Sequence, residues 1–282
     1  MAVQLDEAHG VVSGPGEGES LSAAKLYLVK GGLPDLALFE SMLEPGDAVS
    51  PHLHREHADA FYVLEGELEV TVGSQTLLLG AGGLMAAPPG VVHSVRNPGS
   101  SAERHLNLHA PGWAFLALAR ARARGERVDS AEYDSFGPEG GEGEGIVSPA
   151  GEGERLASGV RTAFVKAELP QLSVFDFHLD GPFEGPEPHT HSDHTDSFYV
   201  LEGEVEFSVD GQTFAGGPGT FVSAPPGVEH TFGKPRPGRA RLLNVHAPDA
   251  GFADSLRGSG GGSTEPPESG GAGFAGAGAG SD

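Results

Sequence analysis

The sequence predicts an all-β protein built from two tandem domains, each a sandwich or barrel of short strands, with a short helix between them. Three observations predict it: the chain repeats itself once, its apolar residues alternate with period two, and turn residues punctuate the alternating stretches closely. At 282 residues the chain has the length of about two domains of the usual ~100–150 residues, enough for two independent cores.

The repeat runs from Val12 to Pro111 and returns from Val147 to Pro248. Phe61-Tyr62-Val63-Leu64-Glu65-Gly66-Glu67 comes back as Phe198-Tyr199-Val200-Leu201-Glu202-Gly203-Glu204, and Ala87-Pro88-Pro89-Gly90-Val91 as Ala224-Pro225-Pro226-Gly227-Val228. Asn107-x-His109-Ala110-Pro111 matches Asn244-x-His246-Ala247-Pro248. One duplicated domain explains all three.

Within each copy Leu68, Val70 and Val72 alternate with Glu67, Glu69 and Thr71, as Val205, Phe207 and Val209 alternate with polar neighbours, the pattern of a half-buried strand. Gly73-Ser74 and Asp210-Gly211 then supply hairpin turns, and the Pro-Pro-Gly triplets sharp reversals. Between the copies, Ala114 to Arg124 is rich in Ala, Leu and Arg and reads as a helix that Gly125 ends, packed outside the first barrel and anchored by Trp113 and Tyr133. A Gly/Glu linker follows, and from Gly258 the chain has too little apolar surface to offset the entropy of ordering. The expected organisation is a first barrel over 1–113, helix and linker over 114–145, a second barrel over 146–257 and a disordered tail over 258–282.

Forty acidic against 17 basic residues leave a net charge of -23, which repels nucleic acid and anionic lipid. No stretch approaches the ~20 apolar residues of a membrane span, and the N-terminus lacks a basic patch followed by an apolar run, so a soluble cytoplasmic protein is expected. With no cysteine, a bound metal must be held by imidazole and carboxylate.

Those ligands recur at matched positions. His52-x-His54 and His189-x-His191 each place two imidazoles on one face of an extended strand. An acid follows, Asp59 or Asp196, and a third histidine, His93 or His230, comes after the Pro-x-Gly turn. Three nitrogens and one oxygen per copy suit Mn, Fe, Co, Ni, Cu or Zn, with one divalent ion per barrel and positions open for water, dioxygen or substrate.

These residues resemble the cupin superfamily, whose first motif runs G-x5-H-x-H-x3–4-E-x6-G and whose second runs G-x5-P-x-G-x2-H-x3-N. Gly46, His52, His54, Asp59 in place of Glu, and Gly66 match the first; Gly82, Pro88, Gly90, His93 and Asn97 match the second. The later copy supplies His189, His191, Asp196 and Gly203, then Gly219, Pro225, Gly227 and His230, with Lys234 where the last Asn belongs. The resemblance covers about three quarters of the chain and implies two jelly-roll (double-stranded β-helix) barrels, a bicupin, with the metal inside each.

It also implies that the acid ligates the metal, although Asp is shorter than Glu by one methylene. Asp59 and Asp196 therefore either ligate directly or hydrogen-bond a ligand His or a bound water. His57 and His194 fall outside the family's ligand set and read as exposed loop histidines. Asn107, His109, Asn244 and His246 read as groups that satisfy nearby loop backbone, with Leu106 and Leu108 on the other face filling the barrel.

Resemblance to the flavonol-cleaving bicupins implies a metal-dependent dioxygenase in which Asp59 or Asp196 accepts the substrate proton. Its partners are then a small organic substrate and dioxygen, with no nucleic acid and no membrane, and a homodimer is left open. The alternatives are a metal-dependent isomerase, lyase or decarboxylase acting on a sugar or keto acid, and a non-enzymatic cupin that binds a small molecule.

Overall fold

The computed structural model describes residues 8–22 and 26–258. Each copy forms a barrel of two antiparallel sheets, joined by the expected helix. In the first barrel the larger sheet runs Ile146–Ser148, Leu84–Ala87, Ala58–Glu65, Glu103–Ala110, Ala37–Leu43, Leu26–Gly32 and Glu19–Ser22 in spatial order. Facing it is a sheet of Ala48–His52, His93–Arg96, Glu67–Val72 and Gln75–Gly80. Most neighbours in space, such as Ala58–Glu65 with Glu103–Ala110 and Ala48–His52 with His93–Arg96, are far apart in sequence, as jelly-roll winding requires.

The second barrel repeats this order with one strand fewer. Where the first barrel has Ala48–His52, the second has a segment containing Pro182, Pro186 and Pro188, which lack the N–H that a ladder needs. That segment meets its sheet through the isolated bridges Phe183 to Lys234 and His189 to His230, and Thr231 Oγ1 donates to the Pro186 carbonyl at 2.6 Å.

The first strand of each copy lies in the other copy's sheet. Val11–Ser13 pairs with Phe221–Ala224 of the second barrel, and Ile146–Ser148 pairs with Leu84–Ala87 of the first. Two buried lysines hold the chain that leaves these strands: Lys30 Nζ donates to the Gly14 and Glu17 carbonyls at 2.5 and 2.9 Å, and Lys166 Nζ to those of Pro149 and Glu152 at 2.6 and 3.0 Å.

Strand alternation divides the core. Phe61 and Val63 point into the first barrel with Leu68, Val70 and Val95, while Ala58, Ala60 and Tyr62 point out into a cluster shared with Tyr199, Leu243 and Val245 of the second. Both faces of the central strands are therefore buried, one by its own barrel and one by the neighbouring barrel. The expected hairpin turn appears at Asp210 (φ 47°) and Gly211 (φ 72°), the backbone that an Asp-Gly pair tolerates.

The connecting helix, α1 (Trp113–Ala123), ends as predicted at Gly125, which has φ 74°. The Gly125 and Glu126 N–H groups return to the Arg122 and Ala121 carbonyls, satisfying acceptors the helix leaves bare. It packs on the first barrel, but Trp113 does not anchor it. Trp113 is 53% exposed, and the helix docks through Leu116 and Ala119 on Leu21, Val29, Ala37 and Phe39. The helix thus buries an apolar patch of the first barrel's larger sheet. A second helix, α2 (Phe252–Gly258), follows the second barrel. Gly258 is its last residue, and the rest of the predicted disordered tail lies outside the described residues. Among the described residues no helix is long and apolar enough to cross a membrane.

Candidate metal centres

His52 ends strand Ala48–His52, His54 lies just beyond it, Asp59 is the second residue of strand Ala58–Glu65, and His93 opens strand His93–Arg96. The pairing of His93 with His52 across the smaller sheet aligns two of the four, and Asp59 reaches them from the larger sheet. Their ligand atoms all lie within 4.8 Å of one another. Asp59 Oδ2 stands 3.1 Å from His93 Nε2 and 3.6 Å from His54 Nε2. His54, Asp59 and His93 are buried, whereas His52 is partly exposed and marks the open side.

Hydrogen bonding fixes which nitrogens face inward. Nδ1 of His52, His54 and His93 each meets a backbone carbonyl, of Ser50 at 3.0 Å, Asp134 at 2.6 Å and Val91 at 3.0 Å. A carbonyl only accepts, so each Nδ1 carries the proton and donates. In a neutral ring each Nε2 is then a bare lone pair. Three lone pairs and a carboxylate oxygen converge with no donor among them, and His54 Nε2 is buried without a partner. Buried acceptors that face one another need a cation, and a divalent metal fits this set.

The second barrel repeats the arrangement with His189, His191, Asp196 and His230. Asp196 Oδ2 lies 3.2 Å from His230 Nε2 and 3.9 Å from His191 Nε2, and the latter is again a buried nitrogen without a partner. His189 and His230 donate through Nδ1 to the Glu187 and Val228 carbonyls at 2.9 and 3.0 Å.

A family model described as a cupin domain matches the chain twice, over residues 39–107 and 178–246, once in each barrel. The chain is a two-domain member of the cupin superfamily. Among curated proteins, quercetin 2,3-dioxygenase of Bacillus subtilis (strain 168) is 26% identical to this bicupin, covering 69% of this chain and 69% of that protein. Among solved structures, oxalate decarboxylase from Bacillus subtilis superposes with a TM-score of 0.56 at 17% identity, covering 85% of this chain and 76% of that one. The coconut allergen cocosin gives 0.59 at 13% over 86% of each chain. Protein Ylba from E. coli gives 0.64 at 14%, over 87% and 93%. Likeness to these structures establishes the fold.

Around its two sites this bicupin uses more residues than its motifs announce. Asn107 Nδ2 donates to Asp59 Oδ1 at 2.5 Å, leaving Oδ2 as the oxygen that faces the imidazoles, and His109 Nε2 donates to Asn107 Oδ1 at 2.8 Å. Asn244 and His246 repeat this on Asp196 at 2.5 and 3.1 Å. The expectation that these four satisfy loop backbone is thereby corrected. They face the barrel interior because Leu106 and Leu108, on the opposite face, are buried between the barrels.

His57 and His194 are buried as well, not exposed loop residues. Their rings pack on His54 and His191 at centroid distances of 3.9 and 4.0 Å. Phe115 of α1 stacks on His109 at 3.8 Å and Phe252 of α2 on His246 at 4.5 Å, so the helix is also part of the repeat. A Phe six residues after the last histidine of each copy was the signal for it.

Asp134 carried no such signal, because it sits in the linker and has no counterpart in the repeat. It follows a short 3-10 helix, Ser130–Tyr133, and adopts φ 55°. Its carboxylate accepts from the backbone N–H groups of Arg55, Glu56 and His57 at 2.8, 2.9 and 3.2 Å and from His57 Nδ1 at 2.7 Å.

Burial and then the neighbouring His93 push the His52 pKa down to about 4, and burial lowers those of His57 and His246 to about 4. His52 is therefore neutral at neutral pH, as a ligand requires. Against their burial, the hydrogen bond and charge of Asp59 raise the pKa of His54, and those of Asp196 raise that of His230; a bound cation would displace that proton. Burial alone would raise the Asp59 pKa, but His109, His54 and His93 hold it well below the usual carboxylate range. Asp196 is lowered in the same way by His246 and His230 against its burial. Both acids are therefore anions at neutral pH, matched to a cation.

Proposed function

We propose that this bicupin is a metal-dependent oxidoreductase, a dioxygenase that acts in the cytoplasm on a small flavonol-like compound. The metal is held in the first barrel by His52, His54, His93 and Asp59 Oδ2, and in the second by His189, His191, His230 and Asp196 Oδ2. The observation that carries this reading is the convergence of three bare imidazole nitrogens and one carboxylate oxygen beside an open edge, in a chain related to a quercetin 2,3-dioxygenase. A transition metal bound there supplies a Lewis acid for an oxygen-bearing substrate and a path for electrons to dioxygen.

The protein's own groups do the rest. Asn107 ties up Asp59 Oδ1, so Oδ2 is the oxygen that would hold the metal at rest and, once released from it, would take the proton of an incoming hydroxyl. Asp196 has the same role in the second barrel, tied by Asn244. Phe61, buried two residues beyond Asp59 on the same strand face, gives the site an apolar wall that would exclude water around an aromatic substrate.

The test is oxygen consumption by metal-stripped protein reloaded with Fe, Mn, Co, Ni or Cu and offered a flavonol panel. The expected result is substrate-dependent uptake of dioxygen with at least one metal, abolished in Asp59→Ala/Asp196→Ala protein. Absence of uptake with every metal contradicts the proposal, and turnover that proceeds equally without oxygen replaces it with Lewis-acid chemistry.

A further inference from the structure

We propose that Asp134 is a positioning residue that makes the two metal centres unequal, the first binding its ion more tightly than the second. This rests on the ligand assignment above and adds a hierarchy between the sites.

The outer contacts of the two ligand sets can be compared one by one. Nδ1 of His52 and His189 both donate to the carbonyl two residues earlier, at 3.0 and 2.9 Å, and Nδ1 of His93 and His230 do the same at 3.0 Å each. Both carboxylates are held by an asparagine at 2.5 Å. The difference lies at the middle histidine. His54 Nδ1 donates to the Asp134 carbonyl at 2.6 Å, and no group among the described residues takes His191 Nδ1. His54 is accordingly buried, whereas His191 is partly exposed.

Asp134 grips the segment around His54 at both ends of its own residue. Its carbonyl orients the ring, while its carboxylate collects three consecutive backbone N–H groups and His57 Nδ1. The stretch after it is clamped across the same barrel: Leu53 and Phe136 exchange backbone hydrogen bonds of 3.1 and 3.0 Å, Arg55 covers the Phe136 ring at 4.2 Å, and Glu142 N–H reaches the Gly90 carbonyl at 3.1 Å. In the second barrel His194 Nδ1 has only its neighbour Asp193, at 2.8 Å, and that carboxylate is 67% exposed. A ligand ring held in its bound orientation before the metal arrives gives up less freedom on binding. Removal of such an outer contact typically weakens metal affinity about 10–100-fold.

Metal-stripped full-length protein titrated with Co(II), followed by its visible absorption and by competition with a chelator, tests this. Wild type should show two classes of site, the tight class surviving in His189→Ala and lost in His52→Ala. Asp134→Asn keeps the backbone carbonyl and a residue that tolerates positive φ, but sets an amide N–H donor against the N–H groups of Arg55, Glu56 and His57. By loosening the turn that presents the carbonyl to His54, it should weaken the tight class by up to about 100-fold and shift its absorption, leaving the weak class unchanged. Equal affinities in wild type, a tight class that persists in His52→Ala, or an unaltered tight class in Asp134→Asn each overturn the proposal. Wild type that binds no Co(II) overturns the ligand assignment along with it.

Discussion

Asn107 decides which oxygen of Asp59 faces the imidazoles, and it does so from a strand that the metal-ligand motifs do not include. Replacing it with Leu leaves Asp59 Oδ1 buried without a donor and frees the carboxylate to rotate. Asn107→Leu is expected to weaken metal binding in the first barrel about 10–100-fold, read by chelator competition, with the second barrel unaffected. Fixed from behind by this asparagine, Asp59 places Oδ2 3.1 Å from His93 Nε2. The six ligand histidines were legible because spacing and repetition identify them. The inward direction of Asn107 and His109 was not, since alternation shows only that two residues share a face. Here both faces of the strand are buried, and only the partner barrel decides which one is apolar.

At the scale of elements, strand Glu103–Ala110 and its copy Ala240–Ala247 form an internal experiment. Inside the first barrel Glu103 and His105, 0% and 3% exposed, pair at 2.9 Å, while the equivalent positions of the second barrel hold Ala240 and Leu242. A buried pair is worth little against a well-packed apolar replacement, but a lone buried charge is expensive. His105→Leu alone should therefore destabilise by about 3–5 kcal/mol in urea unfolding, and Glu103→Ala/His105→Leu together should restore or exceed wild-type stability. The strands and turns themselves followed from alternation and from Asp210-Gly211. The exchange of Val11–Ser13 and Ile146–Ser148 between barrels did not, because a three-residue strand carries no mark of which sheet edge it will join. The helix α1 is legible from composition, but its docking on His109 through Phe115 is a long-range contact that composition does not show.

Across the whole molecule, the two larger sheets meet face to face, and their polar rim is reciprocal. Tyr62 donates to Asp176 Oδ2 of the other barrel at 3.1 Å, and Tyr199 donates to Glu40 Oε1 in return at 2.9 Å. Burial opposes ionisation of Asp176, but hydrogen bonds from Arg241 and then His178 outweigh it and hold the carboxyl at about 2. A folded pKa below the unfolded value of about 3.9 gives stability that is complete above pH ~4 and lost as pH falls toward 2. That contribution is roughly 2.5 kcal/mol, so Asp176→Asn should be less stable than wild type at pH 7 and lose less between pH 4 and 2, followed by thermal melts.

The arrangement of two barrels, each with a repeated ligand set, makes one central claim: the chain holds two divalent ions, one per barrel, through the eight residues named. Elemental analysis of protein reloaded with a single metal and freed of excess tests it most directly. The account predicts close to two ions per chain in wild type, close to one in either His93→Ala or His230→Ala, and close to none in the double variant. Two ions retained in the double variant, or none in wild type, would contradict it.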